Sequence, residues 1–489
     1  MLTKFYNFVI IINSESVLPM SRTEEDFLGK VEVPDDAYYG CFTVRAAGVF
    51  KLSGMKVRHE LIKSVALIKK SAAQANKELG KLDAKLADAI VKAADEVISG
   101  KLDSQFILDA YQAGAGTPLH MNVNEVIANR AIELLGGKKG DYSVVHPNNH
   151  VNMSQSSNDV TPTAVRLACL LLARPLLAEM QSLEKALNKK AGEYSSVLSC
   201  GRTHLQDAVP ISYGQIFGAY SNSIKKDKSE IEHSLISLGE LGIGGTAVGT
   251  GITAHPKFKE KIVYYLKKNT GLPLSSASDS VETTSSMNCF MNFSASLRSY
   301  ATTLNRVAND LRLLASGPKT AISEVILPEV EPGSSIMPGK VNPSIPEAVN
   351  QVCFQVMGND RTIELAANGS QLQLNFYTPL IGQNLIISLE LLTNSSKMFN
   401  EKCISGLKVD EARVKENLER SFAFATSLNP YLGYSVVSKL VTEAYKKNIS
   451  LRSLVLEKKL MDEKDLDKVL STAAGPSEVD KEIAKRIRK

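Results

Sequence analysis

Residues 297–316 read LRSYATTLNRVANDLRLLAS. Leu297, Leu304 and Leu311 recur at intervals of seven, and so do Tyr300, Val307 and Leu314. Two interleaved seven-residue series draw one apolar seam along a helix, the pattern of helices packed side by side at small crossing angles. The run stops at Ser316-Gly317-Pro318, where glycine ends a helix and proline cannot extend it. Segments 162–190, 211–240, 346–367 and 379–400 carry the same periodicity, with Pro175 expected to interrupt the first. The fold class is therefore mainly α, with a long central five-helix bundle. Five long helices with few polar faces to spare predict apolar surface buried between subunits of an oligomer.

Outside the bundle the pattern changes. Residues 20–155 mix turns such as GKVEVPDDAYYG with amphipathic helices at 60–80 and 82–99. The central domain is set at 156–406 and a small helical domain at 407–489, where 450–471 reads as two short helices, the second capped near Met461-Asp462. Residues 1–19 hold an apolar run of about eight residues, too short to span a bilayer, with no small-residue cleavage site. They are read as an extension outside the fold, and no transmembrane segment is expected elsewhere.

The 489 residues are 44% hydrophobic and 22% charged, the balance of a globular protein in water. A net charge of +5 gives no electrostatic case for nucleic acid or a membrane as partner, and the basic end KEIAKRIRK (481–489) reads as a solvated tail or last helix. Six scattered cysteines without CxxC spacing predict reduced thiols in a cytoplasmic protein. No glycine-rich loop follows a strand, which argues against a nucleotide cofactor.

Four stretches are dense in small polar residues. AGAGTPLHMNVNEVIANR (113–130) leaves Thr117 on a glycine turn before a helix. NNHVNMSQSSNDVTPT (148–163) offers Ser156, Ser157 and Asn158, and GRTHLQDAVP (201–210) places Thr203 and His204 after a Gly-Arg turn. EPGSSIMPGKVNP (331–343) carries Ser334, Ser335, Lys340 and Asn342 between backbone breakers. Each has an ordinary structural reading: Ser156–Asp159 as a helix cap, His204 as a structural histidine, Lys340 as a solvated charge, Glu347 as a first-turn carboxylate. His146 and His150 stand four apart, but Pro147 and two asparagines between them, and the lack of a third ligand, oppose a metal site. Together the stretches supply many neutral donors, one lysine and one titratable histidine. That inventory suits a small dianion held by hydroxyls and amides.

The four stretches, in this order, are similar to the signature segments of the aspartase/class II fumarase superfamily, over about residues 21–470. EEDFLGKVEVPDDAYYG, Ala115, NPSIPEAVNQVCFQVMGND, TPLIGQ and EKCISGL resemble the aspartase branch. The resemblance implies a three-domain fold and a homotetramer with a twenty-helix core, each active site shared by three subunits. It implies reversible elimination of ammonia from L-aspartate to give fumarate, with malate dehydration as the alternative, and no required cofactor or metal. Ser334 would be the base. Thr117, Ser156, Ser157 and Ser335 would surround the β-carboxylate, and Thr203, Lys340 and Asn342 the α-carboxylate. Asn158 and His204 would face the amino group, with His204 also relaying protons. Pro118 and His120 depart from the superfamily's pattern, and HPNN (146–149) matches only part of a fumarase segment.

Overall fold

The computed structural model describes residues 20–476 and 478–487. The reading of residues 1–19 lies outside them. The chain forms two compact units, each built from several stretches: one from the residues up to Ala168 with Glu240–Ser286 and Ser370–Leu380, the other from Cys169–Gly239, Met287–Gly369 and Ile381 onward.

The first unit begins with an antiparallel hairpin, Ser21–Asp26 against Gly29–Pro34, pairing Arg22 with Val33 and Asp26 with Gly29. It then assembles the helices His59–Glu78, Ala84–Ile98 and Thr117–Leu134, with Phe258–Thr270 packed on the first of these. Ile68, Ala72, Ile90, Ala94, Val123 and Ile127 are fully buried among them. The short helix Cys41–Val49 lacks a side-chain cap of its own. Glu125, buried in the Thr117–Leu134 helix, supplies it: its carboxylate accepts the N–H of Gly40, Phe42 and Thr43 and the Thr43 hydroxyl. Burial pushes the Glu125 carboxyl up to about 7 despite those donors. A Cβ at Gly40 would fall 2.4 Å from the Tyr142 hydroxyl and 2.6 Å from Glu24, so only glycine fits beside this cluster.

The second unit holds the bundle. Leu297, Tyr300, Leu304, Val307 and Leu311 are completely buried on the helix Asn288–Leu314, which packs against Tyr213–Leu238 and Ser344–Asn368. The helix Thr378–Phe399 joins them through a Tyr300–Ser396 hydroxyl bond of 2.7 Å. The predicted break at Pro175 does not occur: one helix runs Ser157–Glu193. A proline removes a single N–H bond, and Ala173, Leu176 and Met180, all fully buried, hold the turns on either side. That helix is apolar and long enough to cross a membrane by length and composition, yet 72% of its apolar window is buried inside the protein. Other apolar side chains face outward, with Ile236 72%, Phe354 58% and Leu365 58% exposed.

The C-terminal helices close on their own apolar cluster of Leu428, Val437, Leu440, Leu454, Leu466, Val469 and Ile483. Asp462 caps Glu463–Ser471 through the N–H of Asp465, as its sequence position predicts. The basic end forms the helix Lys481–Ile487. No cysteine among the described residues is in a disulfide: Cys41, Cys169, Cys200, Cys353 and Cys403 are buried and Cys289 is half-buried.

Truncating Leu304 to alanine should leave an unfilled gap in the bundle and lower stability by about 3 kcal/mol. Denaturant unfolding measures this; a loss below about 1 kcal/mol would show that the stripe is not the packed core of the unit.

Candidate active site

In the first unit, Gly114, Ala115 and Gly116 form a tight turn with φ of +73°, +54° and +85°. Ala115 therefore sits in a left-handed conformation without being glycine. A Cβ on Gly116 would meet Thr161 at 2.7 Å, so the turn lies directly on the helix that starts at Ser157. Thr117 follows as the first residue of its helix, half-buried, with its hydroxyl donating to the Gly114 carbonyl at 2.6 Å.

The Ser156-Ser157-Asn158-Asp159 segment is a reciprocal cap. Ser156 Oγ accepts the N–H of Asn158, and Asp159 Oδ1 accepts the N–H of Ser156 at 2.9 Å. The other Asp159 oxygen accepts the N–H of Gly244 at 3.0 Å and of Thr246 at 2.8 Å, fastening the cap to a glycine-rich loop. Burial pushes the Asp159 carboxyl up to about 6, against the opposing pull of these amides. Asn158 donates to the Ala247 carbonyl on the same loop at 2.8 Å. The cap reading and the donor reading are thus compatible: the hydroxyls of Ser156 and Ser157 remain half-exposed at a helix N-terminus, where an anion is favoured.

Behind Ser157 lies a group that the sequence did not single out. His120 Nδ1 is 2.7 Å from Ser157 Oγ, and its Nε2 meets Lys69 Nζ. Lys69 is completely buried and His120 is 1% exposed. Lys69 stands in the amphipathic stretch SVALIKKSAAQ, where a lysine ordinarily reaches solvent, so local pattern carried no signal for it. His120 was visible only as a departure from the superfamily pattern.

In the second unit, Gly201 and Arg202 belong to a strand and not to a turn as predicted: Leu198–Thr203 pairs antiparallel with Gln206–Ser212. His204 and Leu205 make the two-residue turn, with φ of +55° and +59°, because the strand twist of a tight hairpin requires left-handed residues there. Thr203 and His204 are consequently exposed at its tip. The hairpin is fixed by the fully buried Glu324, which accepts from Arg202 (2.7 Å), Tyr213 (2.8 Å), Asn417 (2.9 Å) and Ser199 (3.0 Å).

The loop 331–343 closes on itself. Gly333 N–H donates to the Lys340 carbonyl at 2.7 Å, and Asn342 Nδ2 donates to the Gly333 carbonyl at 2.8 Å. A Cβ on Gly333 would lie 2.6 Å from the Lys340 oxygen, so the two strands of the loop touch only because position 333 is glycine. Ser334 Oγ accepts two backbone N–H groups, from Ile336 at 3.2 Å and Met337 at 3.0 Å. Ser335 and Lys340 are exposed. Asn342 has a structural bond and one amide hydrogen to spare. Glu347 lies in the first turn of Ser344–Asn368, 3.9 Å from Arg312.

The two histidines at 146 and 150 are occupied locally. His146 Nδ1 accepts the N–H of Asn148 and Asn149, and His150 Nδ1 accepts the N–H of His146. Among the described residues, no group of three or more His, Cys, Asp or Glu is gathered as a metal would require.

The first unit thus carries hydroxyls at a helix N-terminus, and the second a serine whose oxygen accepts two backbone N–H groups. The chain belongs to the lyase family, which matches residues 29–358, and residues 424–474 match the fumarase C C-terminus family. It is 47% identical to an aspartate ammonia-lyase of Bacillus sp, covering 92% of this chain and 96% of that one. It is 44% identical to that of Bacillus subtilis, over 92% of this chain and 95% of that one. Among solved structures, fumarate lyase:delta crystallin from Brucella melitensis bound to cobalt superposes with a TM-score of 0.91 at 43% identity, covering 94% of this chain and all of that one. The class II fumarase of Schistosoma mansoni gives 0.90 at 38% identity, with the same coverage.

The Asp159 carboxyl, raised in the folded state from 3.8 to about 6, takes up a proton more readily than in the unfolded chain. Stability should therefore fall as pH rises from about 4 to 6, by up to about 3 kcal/mol, and level off above. The difference in unfolding free energy between the protein and Asp159→Asn, measured across that range, should carry this slope; a flat difference would contradict it.

Proposed function

We propose that this chain is an ammonia-lyase that converts L-aspartate reversibly to fumarate and ammonia. The supporting observation is Ser334, whose oxygen already accepts two backbone N–H groups. A serine hydroxyl is a weak base, and its alkoxide is strong enough only where donors stabilise the charge. The 47% and 44% identity to aspartate ammonia-lyases over nearly the whole chain favours aspartate over malate.

In this reading the Ser334 alkoxide takes the proton from the carbon beside the β-carboxylate. The electron pair moves into that carboxylate, giving an aci-carboxylate dianion held by Thr117, Ser156, Ser157 and Ser335. Its collapse forms the carbon–carbon double bond and expels the amino group, protonated in L-aspartate as –NH3+, as neutral ammonia carrying the C–N electron pair. Thr203, Lys340 and Asn342 hold the α-carboxylate, and Asn158 and His204 the amino group. Each hydroxyl or amide aimed at the developing charge contributes about 3 kcal/mol. For Thr117 this requires its hydroxyl to turn from the Gly114 carbonyl when substrate arrives. No step calls for a metal or cofactor. The enzyme works as a cytoplasmic homotetramer whose bundle helices form a twenty-helix core and whose sites draw on three subunits. The outward apolar residues Ile236, Phe354 and Leu365 support that assembly.

Mixing the protein with L-aspartate should raise the ultraviolet absorbance of fumarate, whereas L-malate should not; a rise with malate alone overturns the proposal. Ser334→Ala should fold and assemble normally with turnover reduced at least about a thousandfold. Lys340→Ala should raise KM by roughly tenfold to a hundredfold, the worth of a charged hydrogen bond.

A further inference from the structure

The proposed mechanism gives Ser157 a carboxylate to hold but leaves unexplained the buried pair behind it. Lys69 Nζ is 3.0 Å from Asn152 Oδ1 and 2.9 Å from Gln155 Oε1, and it also meets His120 Nε2. The amide orientations are fixed independently. Asn152 Nδ2 donates to the Gln155 carbonyl, and Gln155 Nε2 donates to the carbonyls of Val151 and Met153. Both amide oxygens must therefore face Lys69, which spends two N–H groups on them. The third position of the nitrogen decides the rest. As an ammonium it donates to His120 Nε2, which places the ring proton on Nδ1; Nδ1–H donates to Ser157 Oγ, and the Ser157 hydrogen is left to point away from His120. As an amine it accepts from Nε2–H, Nδ1 becomes an acceptor, and the Ser157 hydrogen turns inward onto the ring.

We infer that Lys69 and His120 are a positioning pair that sets the direction of the Ser157 O–H, turning it outward to a substrate carboxylate when Lys69 is charged. The inference rests on the placement of Ser157 in the carboxylate site. A dianion favours the outward state, so binding draws a proton onto Lys69. Asp159 is the carboxylate whose charge reaches Lys69, and it favours the ammonium; burial opposes it and lowers the Lys69 pKa well below the ordinary lysine range. His120 is pushed down by its burial and by Lys69. On the other elements packed against the Lys69 helix, Asp95 binds Lys70, Asp88 binds Lys77, Lys261 binds Glu78, Arg130 binds Glu96 and Glu133, Glu125 caps the helix at Cys41, and His150 accepts the His146 N–H.

The test is calorimetric titration of the whole protein with succinate, a dicarboxylate that cannot react, at several pH values from about 6 to 9 and in buffers of different ionisation heat. The native protein should bind with proton uptake, its Kd rising by up to about tenfold per pH unit. His120→Asn keeps a donor where Nδ1 stood but cannot reach Lys69, and should bind with the pH slope and the proton uptake attributable to this pair removed. Lys69→Met should behave likewise where it folds. Equal pH profiles and proton counts for the native protein and His120→Asn overturn the inference. Failure of the native protein to bind succinate at any pH instead overturns the carboxylate site itself, and this inference with it.

Discussion

A helix cannot bond its own first N–H groups, and in this protein buried carboxylates meet that demand where water does not. Asp159 is the decisive case. One oxygen closes the cap at Ser156 and the other holds Gly244 and Thr246, so a single side chain sets both the start of a 37-residue helix and the glycine loop beside it. Glu125 does the same for the helix at Cys41, whereas Glu324 takes side-chain donors and fixes the hairpin that carries Thr203 and His204. Each is a carboxyl group removed from water and compensated by several donors at once, an arrangement that holds only with all partners in register. The polar loops that carry the candidate residues are thereby referenced to rigid elements.

Much of the helical frame was legible because it obeys a simple period. The seven-residue stripe from Leu297 to Leu311 is buried along its length, and Leu314 emerges half-buried as the helix ends. Caps at Ser156 and Asp462 were readable from residue type alone. Less legible were features decided by distant partners. Pro175 carries a local breaking signal that packing overrides. The hairpin around GRTH is short, and its turn uses His204 and Leu205 in place of the glycine that would have announced it. Nothing near Lys69 in sequence reveals that it is enclosed by His120, Asn152 and Gln155, since three separate segments supply them. The candidate residues themselves were found by motif, whereas the bonds that orient them had to be seen.

In the proposed mechanism the serine loop prepares a weak base without a neighbouring acid or base. Its donors come from the chain immediately downstream, at Ile336 and Met337, so the stabilising amides travel with the oxygen they serve. Preorganised amides cost nothing to reorient during a reaction, in contrast to water, which must be rearranged as charge develops. The surrounding prolines and glycines then have a mechanical as well as a conformational role.

The contact at Gly333 makes that role specific. With its N–H on the Lys340 carbonyl and its carbonyl on Asn342, the loop is stapled across its neck. A stapled loop has fewer conformations open to it than an unstapled one of the same length. Ser334 and Lys340 therefore sit within one stapled segment, and in the proposed mechanism a substrate that attracts the lysine also brings in the base. Part of the entropy of ordering the segment is thus met during folding, before any ligand arrives.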